Sequence, residues 1–142
     1  MEGCIREIEI LVFNVMGIRL AVETSQVSGI MDLEHTVDRD VPVFGIPDLL
    51  KINFGHVSYK SPKVLLVKCD SSIIGIVVDR LEKVEALGLE RIHPMPVLIE
   101  KCNGAKAIWG SVVDGDEVLL LIDFYKLPCC SPSAESGAEI SA

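Results

Sequence analysis

A chain of 142 residues with 49% apolar and only 5% aromatic side chains has the size of one domain, with a core that must be built from Val, Ile and Leu. Its 13 Lys and Arg stand against 21 Asp and Glu, a net charge of −8; the basic residues are scattered singly beside acids, so the field repels a phosphate polyanion and excludes nucleic acid as a partner. The mean hydropathy is +0.42, yet no apolar run approaches the ~20 residues that span a bilayer, which excludes membrane insertion and leaves strands buried on both faces or an apolar surface kept for partners.

The opening Met1-Glu-Gly-Cys-Ile-Arg-Glu7 carries acids where a signal peptide carries bases, so the expected location is the cytoplasm. Residues 7–15 and 18–22 are apolar-rich runs joined at Met16-Gly17, a hairpin signal. Residues 23–26 suit one short helical turn, and 27–31 read as extended again. Residues 32–40 form a polar, acidic stretch that reads as a loop. A short strand over 41–46 follows, and Pro47 opens a small helix through Ile52.

Residues 63–69 and 73–79 are the strongest strand signals, nearly continuous apolar runs around Asp70-Ser-Ser72. Another short strand is expected over 83–87. His93-Pro-Met-Pro96 reads as punctuation, since proline denies both ladder and helix a donor. A last hairpin spans 105–113 and 117–123 around Asp114-Gly-Asp116. From 128 to 142 the composition falls to Pro, Ser, Ala, Gly and Glu, a disordered tail by its residues. Roughly nine short strands with little helix make an all-β sandwich or barrel.

Catalytic signatures are missing: no G-x-S-x-G, no phosphate loop and no H-E-x-x-H. No residue is assigned to catalysis, to a cofactor or to a metal. His35, His56 and His93 are far apart and read as structural or surface residues. The acidic stretch 32–40 offers oxygen donors, but its spacing matches no cation loop and it lacks a central glycine, so it reads as a solvated connection. Five cysteines with no C-x-x-C, Cys129-Cys130 among them, read as reduced thiols. Trp109, the sole tryptophan, is expected in the core.

Four stretches in order carry a resemblance. They are Ile10-Leu-Val-Phe-Asn-Val-Met-Gly-Ile-Arg-Leu-Ala-Val22 with Val27-Ser-Gly-Ile30; Gly45-Ile-Pro-Asp-Leu-Leu50; and Ile74-Gly-Ile-Val-Val-Asp-Arg-Leu81 with Val84 and Ile92-His-Pro-Met-Pro96. The fourth is Trp109-Gly-Ser-Val-Val113 with Leu119-Leu-Leu-Ile-Asp123 and Lys126-Leu127. Together, over 7–127, they resemble the CheW-like domain of bacterial chemotaxis adaptors. The resemblance implies two small intertwined five-stranded SH3-like barrels with few short helices and no catalysis. It implies two partners, the regulatory domain of a CheA-type histidine kinase and a chemoreceptor cytoplasmic tail. Val27 and Ile30 match kinase-facing positions, and Val64 and Val84 match the receptor groove; as strand residues, the three valines fit a core equally well. The family's Gly-x-x-Asn-x-Arg-Gly is missing between Val27 and Asp48, and with it a strand and a receptor-linked arginine; Arg39 is the only arginine there. A β-barrel that binds a small ligand is the competing reading, but it needs converging polar groups, and none cluster in the sequence.

Overall fold

The structure, a computed structural model, describes residues 6–49, 58–94 and 107–127. Strand β1 (Glu7–Val15) turns back on β2 (Ile18–Glu23). Their two-residue link has positive φ twice, 54° at Met16 and 82° at Gly17, the turn whose twist matches that of paired strands. Asn14 Oδ1 accepts the Gly17 N–H at 2.9 Å and closes it. A 3-10 turn, Thr24–Gln26, leads into β3 (Gly29–Asp32), helix α1 (Leu33–Arg39), β4 (Val43–Gly45) and helix α2 (Ile46–Leu49). After residue 58 come β5 (Lys63–Cys69), β6 (Ser72–Val78), β7 (Arg80–Gly88) and β8 (His93–Pro94). The hairpin β9 (Ile108–Asp114) and β10 (Glu117–Ile122) and a 3-10 turn, Phe124–Lys126, close the chain.

Ten strands form two sheets among the described residues, of six strands in the order β7-β1-β2-β10-β9-β8 and four in the order β3-β5-β6-β4. Neighbours are antiparallel except β2 with β10 and β4 with β6. The expected all-β architecture is therefore present, its strands among the described residues grouped in sheets of six and four. The larger core lies between the sheets, where Leu11, Phe13 and Leu20 meet Leu65, Ile76 and Val78 under Phe124 and Leu127. A second core of Ile10, Val12, Ala21, Leu87, Val112, Leu119 and Leu121 fills the curl of the six-stranded sheet. β1 thus serves both cores on alternate residues, which is why its sequence is a continuous apolar run rather than an alternating one.

The chain passes between sheets at Asp79, the aspartate of Val-Val-Asp-Arg80. Its N–H donates to the Asn14 carbonyl at 2.8 Å, and its Oδ1 accepts the Lys60 and Ser61 N–H groups at 2.8 Å each. Burial raises the pKa of nearby Tyr59, with the Asp48 and Asp79 carboxylates adding to it.

Four expectations need correction. The acidic stretch is not a loop: α1 occupies it, with Thr36 buried and Asp40 in the left-handed conformation (φ 59°) receiving the helix end. The N-cap, Asp32, makes no side-chain cap because its carboxylate is taken by Lys63 Nζ at 2.6 Å. His93–Pro94 does pair, opposite Ser111 and Gly110; a Cβ at Gly110 would stand 2.8 Å from Ile92 Cγ2, so glycine admits the close strand. Trp109 is not core but 37% exposed, because its neighbours Ile108 and Gly110 take the inward positions. Cys69 is disulfide-bonded rather than a reduced thiol. Cys4, Cys102, Cys129 and Cys130, the end of the helix begun at Pro47, His56 and the tail 128–142 lie outside the described residues.

Candidate protein-docking surface

β3 ends the four-stranded sheet and pairs only with β5 among the described residues. Ser28 anchors its entry, donating from its backbone N–H to the Leu66 carbonyl at 2.7 Å. Ile30 stands opposite Leu65, on the side that carries the inter-sheet core. Leu65 is fully buried; Ile30, at the sheet's margin, is 50% exposed. Val27 is partly buried against the same core. One short segment therefore offers an aliphatic side chain to solvent beside one that seats it, next to a strand that pairs on one side only among the described residues.

Val84 occupies the corresponding position of the other sheet. β7 is the terminal strand there, Val84 stands opposite Leu11, and it is 54% exposed. Val64 differs from both. It pairs with Met31 and Val77 and is fully buried, and its Cγ1 lies 2.5 Å from where a Cβ on Gly75 would stand. Packed over a glycine, Val64 has no surface for a partner, which corrects its expected place in a receptor groove. The structure thus groups Val27 with Ile30, sets Val84 on a separate edge and withdraws Val64.

Two polar constructions were not legible as such in the sequence. Arg19 is largely buried, its side chain 14% exposed, and binds three carboxylates: Glu82 of β7 at 3.1 Å, Asp114 of β9 at 3.0 Å and Glu117 of β10 at 3.2 Å. It ties β2 to strands on either side of it in the six-stranded sheet. The hydrogen bond from Arg19 holds Asp114 below the usual carboxylate range. A charge inside an apolar run was the available signal; its partners, 63 to 98 residues away, were not. Gln26, also buried, donates to Asp123 Oδ1 at 2.9 Å and accepts the Phe124 N–H at 2.8 Å, fastening the entry to β3 to the closing turn.

Asp32, Glu34 and His35 bring donor atoms within 4.8 Å of one another. The Asp32 carboxylate is already neutralised by Lys63, whose hydrogen bond lowers its pKa, and Glu34 and His35 are solvent-exposed. The group is chemically a surface ion pair with two neighbours. No helix among the described residues is long and apolar enough to cross a membrane.

Comparison with known proteins agrees with this architecture. No curated protein sequence is significantly similar to the chain. Among solved structures, the scaffolding protein TtCheW from Thermoanaerobacter tengcongensis superposes with a TM-score of 0.63 at 17% identity, covering 86% of this chain and 88% of that one. The family model described as CheW-like domain matches residues 9–128. With that match over most of its length, the chain belongs to the CheW-like domain family.

Proposed function

We propose that the protein is a cytoplasmic, non-catalytic adaptor that docks on the regulatory domain of a CheA-type histidine kinase through residues 27–30, with a reduced contact to a chemoreceptor tail at the Val84 edge. The observation that carries this reading is Ile30, half exposed on the strand that ends the four-stranded sheet among the described residues, beside partly buried Val27. Energy in such interfaces concentrates in a few central apolar residues. The receptor side is thinner: Val64 is buried, and α1 fills the interval where the family's Asn-x-Arg-Gly stands.

Calorimetric titration of the full chain against the kinase regulatory domain tests this. Ile30→Asp places a carboxylate in the patch at a position already open to solvent, so the fold tolerates it. Affinity is expected to fall at least tenfold, about 1.4 kcal/mol, while Val84→Asp leaves it unchanged. Receptor tails added to the kinase assay are expected to stimulate autophosphorylation weakly. Equal kinase affinity of wild type and Ile30→Asp removes the 27–30 edge from the interface.

A further inference from the structure

The polar groups that a small-ligand site needs are scattered in the sequence and converge in the fold. Asn14, Met16 and Gly17 of the first hairpin, Ser58, Lys60 and Ser61 before β5, and Asp79 and Arg80 at the crossing between sheets line a cavity of about 380 Å³. That volume lies in the range of small-molecule sites. Arg80 stands opposite Asn14 across β1 and β7, so the two side chains share a face.

Hydrogen bonding sorts these groups. Asp79 is the one acid among the described lining residues, and its Oδ1 is taken by the Lys60 and Ser61 N–H groups. Asn14 Oδ1 is taken by the Gly17 N–H, which leaves its amide NH2 as a donor. Among the described residues, no hydrogen bond or ion pair engages the side chains of Ser58, Lys60, Ser61 or Arg80. What remains is a guanidinium, an ammonium, an amide NH2 and two hydroxyls, all able to donate. We propose that this cavity binds a phosphate group, free or carried by a small monoester. Its three terminal oxygens can answer donors from three chain segments, and the Arg80 guanidinium suits two of them at once. A carboxylate, with two oxygens, leaves a segment unanswered. The net charge of −8 that repels a polyanion acts less on a small dianion lying within a Debye length of two cations. Lys60 leads into β5 and Arg80 opens β7, so the bound anion bridges the two sheets and stabilises the fold by mass action.

Thermal unfolding of the full-length protein tests this, with inorganic phosphate and methyl phosphate as probes against chloride at matched ionic strength. Each is expected to raise the melting temperature by about 3 °C or more at about 20 mM, on a saturating curve, as a roughly millimolar Kd implies. A larger rise with methyl phosphate assigns the site to a monoester, and an equal rise assigns it to the phosphate group itself. Arg80→Gln is expected to abolish the rise and Lys60→Gln to weaken it; both residues are exposed, so the fold tolerates the changes. Arg39→Gln, exposed on α1 outside the cavity, keeps the rise. Comparison with Arg80→Gln also removes the general stabilisation that phosphate gives a folded protein. An equal rise in Arg80→Gln and wild type overturns the proposal, as does a rise with acetate that matches phosphate's. So does a wild type that melts in phosphate as it does in chloride.

Discussion

Gln26 and Asp123 are 97 residues apart in sequence and share a hydrogen bond of 2.9 Å. The more consequential contact is the Phe124 N–H on Gln26 Oε1, which is buried. Gln26→Ala leaves that donor without its partner, at an expected cost of about 1–3 kcal/mol. Urea unfolding measures it as a lower midpoint at unchanged slope; an unchanged midpoint means that water replaces the side chain. Arg19 acts through charge instead. Because it lowers the native pKa of Asp114, its contribution is present above the unfolded carboxylate's value of about 4 and is lost as pH falls through the lower native value. Arg19→Met should therefore melt below wild type near neutrality, with the gap closing on acidification below about pH 4. A gap independent of pH assigns the role of Arg19 to the packing of its methylenes.

At the scale of elements, β6 shows how neighbouring strands fit. Gly75 lacks a Cβ because Val64 Cγ1 occupies its place, 2.5 Å away. Gly75→Ala is expected to cost about 1–3 kcal/mol by overpacking. Combined with Val64→Ala, it should cost less than the two single changes together, since each relieves the other's defect. Strict additivity in denaturation experiments separates the two sites. The same pair explains what the sequence concealed. Period-two alternation marks which residues share a face, but β5 at residues 63–69 was legible instead as a nearly continuous apolar run, because both faces of that strand are apolar. A strand with two apolar faces does not reveal which one a partner can reach, so Val64 read like Val84 although only Val84 is exposed. The tight turns at Met16-Gly17 and Gly115 were legible because positive φ favours glycine. Helix α1 was not: seven residues long, with only Leu33 and Val37 as large apolar residues, both exposed, it has no apolar stripe to announce a period of 3.6.

At the scale of the whole molecule, the two sheets cannot be stabilised separately. The larger core takes Leu11, Phe13 and Leu20 from one and Leu65, Ile76 and Val78 from the other. Phe124, from the closing turn, lies 6.2 Å from Phe13 between ring centroids. Chain crossings reinforce the union: Asp79 binds the Asn14 carbonyl where β6 gives way to β7, and Gln26 joins the entry of one sheet to the exit of the other. Parting the sheets would expose most of that apolar surface to water, so an intermediate with one sheet intact lies well above both end states. Unfolding is therefore expected in a single transition. Trp109, the only tryptophan, reports from the six-stranded sheet by fluorescence, and far-UV circular dichroism reports from both sheets. The two curves should coincide in urea for wild type and should shift together in Gly75→Ala, although that substitution lies wholly in the four-stranded sheet. A dichroism change that precedes the tryptophan transition would show that the four-stranded sheet opens first.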